Sequence, residues 1–411
     1  MVSAAAQEFP QHYPHPGWVE HDPADILSTQ IEALRAAVRK AEIDPKEIAA
    51  IGITNQRETT FLWERETGAC LYNAIVWQCR RTAPIIEQLV ADGYDSVIRE
   101  KTGLVPDAYF AGSKIKWLLD ELNLRERAKK GEICFGTVDS FLAWHLVEGH
   151  PHVTDATNAG RTMLFNLHTQ EWDDELLSIL DIPREILPEV VDTAHVVGML
   201  REDLLGERIP VAALVGDQHA ALFGQACFKE GDVKNTYGTG CFMLMNAGNQ
   251  FRLSQCGLLT TMAWRLNGKA TYAFEGSVFM AGATIQWLRD EMHMMKTGEQ
   301  TWSLRYQAAG GNGDSILGVT GEITAGDDFH ATASVTAGKN NKALAQIAIR
   351  RTSPDEAPLP QEAKVLNLTG ADEAQLQAWT ADLVAGMTAW LPELFKQLPA
   401  EWVIWLLSIA G

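Results

Sequence analysis

Apolar and polar positions follow helical spacing in some segments and form short apolar runs in others. An amphipathic helix is predicted between Asp22 and Asp44, and a second helix over residues 83–91. Apolar runs predict strands at residues 48–53, 61–63 and 211–215. Because strands and helices alternate over the first 200 residues, the pattern predicts an α/β domain with a mixed sheet.

The stretch from Val211 to Asn246 organises the chain. Asp217 directly follows the strand at 211–215, at the kind of position where ligands gather in α/β sheets. Two β-prone runs then meet at Gly238-Thr239-Gly240, which predicts a hairpin whose tip lacks bulky side chains and can admit a phosphate. A carboxylate beside a phosphate cradle indicates phosphoryl transfer to a hydroxyl. Two plainer interpretations stay open, an N-cap role for Asp217 and an ordinary hairpin turn.

Charged and aromatic residues follow two other predicted strands. Arg57 and Glu58 come after the strand at 48–53 and could donate to and accept from polyol hydroxyls, or form only a salt-bridged strand end. Trp77 lies near the end of a second predicted strand, which starts at Tyr72, and suits a binding wall or a core position equally. Gly282 opens a predicted helix with little side-chain bulk, which suits a phosphate or close helix packing.

The pattern changes from about residue 292. Residues 315–320, 330–336 and 343–349 read as strands, and an amphipathic helix is predicted from Thr369. The prolines at 354, 358 and 360 indicate a linker. This tail contains no catalytic pattern that we can name.

Composition narrows the classes of function. At 411 residues the chain is long enough for two or three domains, and 46% of its residues are hydrophobic. Its net charge of -19 argues against nucleic acid or an anionic membrane as a partner. Its six cysteines lack Cys-x-x-Cys spacing, and the sequence shows neither a signal peptide nor a membrane span. We therefore expect reduced thiols and a cytoplasmic protein, while a homo-oligomer stays open.

Several separated motifs together resemble one family. They span about Glu8 to about Met292 and include the runs Gly-Ile-Thr-Asn-Gln-Arg-Glu-Thr-Thr at 52–60, Asn-Ala-Ile-Val-Trp-Gln-Cys-Arg-Arg-Thr at 73–82 and the stretch 211–246. The run at 279–291 and the opening run Tyr-Pro-His-Pro-Gly-Trp at 13–18 belong to the same set. In this part the chain closely resembles the FGGY carbohydrate kinases, and among them those that phosphorylate glycerol.

The resemblance implies a fold of two ribonuclease-H-like, actin-like ATPase domains and transfer of the ATP γ-phosphate to glycerol with Mg²⁺. It implies that Asp217 is the catalytic base. It further implies that glycerol is held by Arg57, Glu58, Trp77, Tyr109, Asp217, Gln218 and Phe242, and the nucleotide by Thr239, Gly282 and Gln286. The metal-binding residues stay unknown.

The chain also departs from the family pattern. It starts after the family's first phosphate hairpin, whose carboxylate helps to place Mg²⁺, and the family's later nucleotide motifs are missing after about residue 292. We therefore expect residues 1–224 to form the glycerol-binding domain, 225–291 the start of the second kinase domain, and 292–411 a divergent α+β tail. The alternative is a non-catalytic polyol-binding remnant, or a truncated or fused product without a complete ATP site.

Overall fold

The computed structural model divides into two compact units, Met1–Ala281 and Gly282–Gly411. It describes residues 2–238, 240–255, 257–278 and 282, and the backbone alone of 300–309, 316–325, 330–337, 342–350 and 359–365. The domain boundaries predicted at residues 224 and 291 stay predictions. The helix predicted from Thr369 lies outside the described residues.

The α-helices of the first unit include both helices predicted from the sequence, at 22–44 and 83–91. They are α1 (Pro23–Ala41), α2 (Ala83–Ala91), α3 (Asp95–Thr102), α4 (Ala111–Glu121), α5 (Arg125–Lys129), α6 (Val138–Leu146), α7 (Ala156–Ala159), α8 (Asp174–Leu180), α9 (Glu202–Leu205) and α10 (Asp217–Gly224). Helix α1 begins where Asp22 accepts a hydrogen bond from the Ala24 amide. Among the described residues, no helix is both long and apolar enough to cross a bilayer.

The strands of the first unit are short in its first half and longer toward its end. They are β1 (Glu20–His21), β2 (Ile51–Asn55), β3 (Phe61–Glu64), β4 (Ala74–Ile75), β5 (Ile133–Gly136), β6 (Val153–Asp155), β7 (Phe165–Asn166), β8 (Glu171–Trp172), β9 (Glu189–Val191), β10 (Gly198–Met199), β11 (Pro210–Gly216), β12 (Val233–Tyr237), β13 (Cys241–Gly248), β14 (Leu259–Leu266) and β15 (Lys269–Val278).

Two sheets of the first unit carry the chemistry discussed below. In one, β11 lies between β10 and β2 and runs parallel to β2. In the other, which we call the second sheet, all neighbours are antiparallel and the order is β12-β13-β15-β14. Mixed strand directions together with helices confirm the predicted α/β class.

Successive side chains of β3 pack in two different apolar clusters of the first unit. Leu62 packs in one apolar cluster with Ile75, Phe110 and Phe135, whereas Phe61 and Trp63 pack in a second cluster. Successive side chains on a strand point to opposite faces, so one short strand contributes to both clusters.

In the second unit the described backbone forms one antiparallel sheet. Its strands are β16 (Gln300–Ala309), β17 (Ile316–Ala325), β18 (His330–Ala337), β19 (Lys342–Arg350) and β20 (Leu359–Val365), paired in chain order. The linker predicted at Pro354–360 is therefore wrong from residue 359 onward. Strand β20 tolerates Pro360 because it is the edge strand, and its register shifts where Pro360 pairs with Ile349.

Gly103 shows how tightly α3 meets the second sheet. It ends α3 with φ of 72°, its carbonyl accepts a hydrogen bond from the Thr260 amide, and a Cβ there would lie 2.3 Å from the Thr260 carbonyl oxygen. Gly93 has a similar φ of 82°, but a Cβ there would meet nothing within 4 Å. Both glycines have a positive φ, but only at Gly103 would a Cβ atom overlap neighbouring atoms.

We predict that Gly103→Ala destabilises the protein more than Gly93→Ala. Both variants should lose about 1–2 kcal/mol for an alanine at positive φ. Gly103→Ala should lose about 1–3 kcal/mol more, because the new methyl group overlaps β14. Urea unfolding of both variants measures the difference, and equal losses would show that α3 does not pack on β14 as described.

Candidate polyol site

The site begins where two parallel strands end side by side. Strands β2 and β11 are in register, with Asn55 opposite Gly216. Arg57 and Asp217 therefore leave the sheet at the same edge, and the Arg57 Nε lies 3.5 Å from Asp217 Oδ1. The sequence predicted each residue at a strand end, and the parallel pairing brings the two together.

Gly216 permits this close approach. A Cβ at this position would lie 2.8 Å from Arg57 Cγ and 2.9 Å from His219 Nδ1. Any side chain at 216 would displace the arginine, so the residue before Asp217 has to be glycine for Arg57 to lie where it does.

Asp217 is the first residue of α10, and the N-cap position is occupied by Gly216. The interpretation of Asp217 as an N-cap is therefore wrong. Its Oδ1 accepts from the adjacent Gln218 amide at 2.7 Å, and its side chain is 42% exposed. Asp217 thus presents an accessible carboxylate beside a buried guanidinium.

Arg57 is 3% exposed and lies among acidic and phenolic oxygens. Its Nη1 and Nη2 donate to Glu275 at 2.6 and 3.1 Å, and Nη2 also donates to the Tyr109 hydroxyl at 3.1 Å. Burial alone would lower the pKa of Arg57, but Glu275, Tyr109, Glu58 and Asp217 together outweigh it and raise the pKa well above its ordinary value. The cation is permanent.

Glu58 lies at the centre of a tight turn. The Thr59 amide donates to the Arg57 carbonyl at 2.7 Å, and Glu58 has φ of 60°. This is the strained form of the γ-turn, and strained backbone of this kind clusters at functional sites. Glu58 lies 3.7 Å from Arg57 but only 2.6 Å from Arg161 Nε. The adjacent charges do pair, although each has a closer partner elsewhere.

Three aromatic rings form one side of the site. Trp77 meets Tyr109 edge-to-face with centroids 5.6 Å apart, and it meets Phe242 in the same manner at 6.0 Å. Trp77 is partly buried and also packs on an apolar cluster, so its core role and its position in the wall coexist. Tyr109 is 5% exposed.

Gln218 forms hydrogen bonds with both Asp217 and Lys234. Its Nε2 donates to Asp217 Oδ2 at 3.2 Å, while its Oε1 accepts from Lys234 Nζ. Lys234 also donates to the Phe242 carbonyl at 3.2 Å. Burial lowers the pKa of Lys234 to about 8. Lys234 thus links the helix that carries Asp217 to the strand that carries Phe242.

The substrate-binding residues predicted from the sequence therefore occupy one connected site. The contacts run from Arg57 through Tyr109, Trp77 and Phe242, and return through Lys234, Gln218 and Asp217 to Arg57. Glu58 joins through Arg57. The arrangement offers a carboxylate, a guanidinium and an apolar wall to one small molecule.

The residues predicted to bind nucleotide are described less completely. Thr239 and Gln286 lie outside the described residues, and Gly282 is helical and exposed within the second unit. The hairpin itself forms as predicted, with the Gly238 amide donating to the Gly240 carbonyl at 2.8 Å. Among the described residues, a Cβ at Gly238 would meet only the Gly240 carbonyl oxygen, at 3.8 Å.

Sequence reasoning missed three charged residues of the site: Arg161, Lys234 and Glu275. All three are at most 1% exposed. A signal was present for Glu275 and Lys234, since each is a charge within a β-prone run, where burial demands a partner. Arg161 follows a polar loop that gave no indication of its partners.

Lys114 supports the loop that carries Tyr109. Its Nζ donates to the carbonyls of Ala108, Tyr109 and Phe110 at 2.7, 2.5 and 3.1 Å. Burial lowers the pKa of Lys114 to about 7. The side chain is fully buried and fixes the backbone on both sides of the tyrosine.

Comparisons with known proteins are consistent with this geometry. Residues 1–224 match the model of the N-terminal domain of the FGGY family of carbohydrate kinases. Glycerol kinase 2 of Thermotoga maritima is 57% identical over 305 residues, which are 74% of this chain and 62% of that protein. A glycerol kinase of Escherichia fergusonii is 59% identical over 297 residues, which are 72% of this chain and 59% of that protein.

A solved structure also matches. The crystal structure of Plasmodium falciparum glycerol kinase with ADP aligns with a TM-score of 0.64 and 34% identity, covering 70% of this chain and 58% of that one. The chain spans about three fifths of the length of the curated relatives named above.

We predict that Lys114→Met destabilises the protein by about 3 kcal/mol or more, because three buried carbonyls lose their donor. The loss should grow as the pH rises from about 7 toward 10.5, the ordinary lysine pKa. In that interval the unfolded lysine holds more protons than the folded one, so the wild type gains stability with pH and the methionine variant does not.

Urea unfolding at several pH values measures this difference. Lys116→Met on the same helix is the matched control. Lys116 is partly exposed and pairs with Asp120, so its loss should cost about 0.5 kcal/mol at most. A pH-independent difference between wild type and Lys114→Met would contradict the lowered pKa of Lys114.

Proposed function

The chain belongs to the FGGY family of carbohydrate kinases, and from this membership we propose that it transfers the γ-phosphate of ATP to glycerol. The part of the chain that matches solved structures has the α/β, actin-like fold of that family. The observation that carries the proposal is the connected ring of contacts that brings Arg57, Tyr109, Trp77 and Asp217 together.

The polar side of the ring suits a polyol. Arg57 turns its Nε toward Asp217, which places a fixed cation and an accessible carboxylate within reach of neighbouring hydroxyls. In the proposed reaction Asp217 accepts a hydrogen bond from the attacking hydroxyl, orients its oxygen, and takes its proton late in the transfer. The rate then depends mainly on how well the hydroxyl is positioned.

The apolar side of the ring suits a carbon backbone. Trp77 and Phe242 are partly buried and present ring edges and faces, against which a three-carbon chain can pack. They also limit the entry of water, whose attack on ATP would waste the phosphate. The combination favours a small triol over an extended sugar.

The residues at the hairpin fit a nucleotide phosphate. Gly238 and Gly240 place no side chains at the tip, where an anion could approach, and Thr239 lies between them in the sequence. When bound, Mg²⁺ would offset the negative charge of the transferring phosphate. Among the described residues no group of three or more His, Cys, Asp and Glu is arranged to hold a metal ion. We propose that Mg²⁺ binds together with ATP.

One further property follows from the same proposal. We infer a cytoplasmic location, since the five cysteines among the described residues are free thiols. Cys256 lies outside the described residues.

We predict that the purified chain forms ADP from Mg-ATP in proportion to added glycerol. Asp217→Asn should reduce the rate by about 10²-fold or more, because the amide cannot accept the proton. Asp203→Asn, at an exposed aspartate paired with Arg201, is the matched control and should leave the rate unchanged. A coupled assay for ADP measures both, and ADP formation that does not depend on glycerol would contradict the proposal.

Calorimetry tests the polyol site apart from turnover. Glycerol should bind the wild-type chain, and Arg57→Ala should abolish the binding because it removes the cation of the site. Unchanged binding by Arg57→Ala would refute the assignment of this site even if ADP is formed.

A further inference from the structure

Glu275 on β15 is a buried carboxylate held between two guanidinium groups. Its Oε2 accepts from Arg57 Nη1 at 2.6 Å, and its Oε1 accepts from Arg57 Nη2 at 3.1 Å and from Arg161 Nη2 at 2.8 Å. The side chains of Arg161 and Glu275 are both 0% exposed. Neither can touch a ligand that enters beside Asp217 without a rearrangement.

Arg161 completes a chain of charges. Its Nε donates to Glu58 Oε1 at 2.6 Å while its Nη2 donates to Glu275. Two cations and two anions therefore alternate in the order Glu58, Arg161, Glu275, Arg57, and their formal charges cancel. Burial of these groups is tolerable because each charge faces an opposite one.

The pairing fixes the direction of the Arg57 guanidinium. Glu275 binds both Nη atoms in the bidentate geometry that is characteristic of arginine and carboxylate. The Nε edge is thereby turned toward Asp217, at 3.5 Å. Without Glu275 the guanidinium could rotate toward Glu58 or Asp217 and donate its hydrogen bonds to them.

The placement of Glu275 also joins separate parts of the chain. On the second sheet Glu275 pairs with Leu244, and Ser277 pairs with Phe242. Because the two pairs are two residues apart, Glu275 and Phe242 project from the same face. The carboxylate of Glu275, which orients Arg57, and the ring of Phe242 are therefore carried by the same face of one sheet.

We propose that Glu275 and Arg161 are positioning residues for polyol binding. They act through Arg57 and Glu58 and do not contact the substrate, and they set the affinity for glycerol rather than for the nucleotide. This inference rests on the proposed function.

The test compares glycerol affinity with stability in the full chain. Glu275→Gln should raise both the Kd for glycerol and the KM for glycerol about 10- to 100-fold, the loss expected for one charged hydrogen bond. The KM for ATP should change less than about twofold, because Arg57 does not face the nucleotide in the proposed reaction.

A double variant separates positioning from charge balance. Glu275→Gln leaves an excess buried positive charge, and Glu275→Gln combined with Arg161→Met removes that excess. The double variant should regain most of the lost Tm and none of the lost glycerol affinity. Recovery of affinity together with Tm would overturn the proposal, since the pair would then serve stability alone.

Two further variants keep the test decisive. Glu20→Gln breaks the buried pair with Arg81, a 2.7 Å contact made away from the ring of site residues, and should lower Tm without raising the KM for glycerol. Arg161→Lys keeps the charge but loses the forked geometry that reaches two carboxylates, and should raise the Kd for glycerol about threefold or more even if Glu275→Gln does not fold.

The outcomes distinguish this inference from the proposed function. If the wild type binds no glycerol, the proposed function fails and the inference with it. If the wild type binds glycerol and both Glu275→Gln and Arg161→Lys bind it equally well, the proposed function stands and the positioning role is wrong.

Discussion

A guanidinium that is almost fully buried can persist only if carboxylates neutralise it, and this requirement governs the site. Arg57 is held by Glu275 from the second sheet, with Asp217 and Glu58 nearby. The parallel ends of β2 and β11, the small Gly216 and the packing of the second sheet all serve that arrangement. Each of them brings a carboxylate close to the buried cation.

The same constraint explains why the site is polar on one side and apolar on the other. The Nη atoms of Arg57 donate hydrogen bonds to Glu275 and Tyr109, and only its Nε edge faces the accessible carboxylate of Asp217. The aromatic rings continue from Tyr109 around the remaining side. Glu58, in strained backbone, lies closer to Arg161, at 2.6 Å, than to its sequence neighbour Arg57, at 3.7 Å. Local strain and long-range pairing thus act on the same few residues.

The sequence predicts this site only as far as local pattern and family resemblance reach. Strand ends located Arg57 and Asp217, the Gly-Thr-Gly tip located the hairpin, and the resemblance supplied Trp77, Tyr109 and Phe242. The sequence analysis did not find the partners Arg161 and Glu275. Glu275 lies 218 residues from Arg57 and 114 from Arg161, and neither hydrophobic periodicity nor the residue types of turns can predict contacts over such separations. The linker predicted at residue 360 failed for a similar reason, since only the sheet shows that β20 is an edge strand.

The most direct measurement is a crystal structure of the chain, grown without other polyols and soaked with 3-bromopropane-1,2-diol, a glycerol analogue whose bromine gives an anomalous signal. We predict one bromine peak inside the wall formed by Trp77 and Phe242, with the diol oxygens within hydrogen-bond distance of Arg57 and Asp217. A peak elsewhere on the protein, or no peak at saturating analogue, would contradict the assignment of these residues to one polyol site.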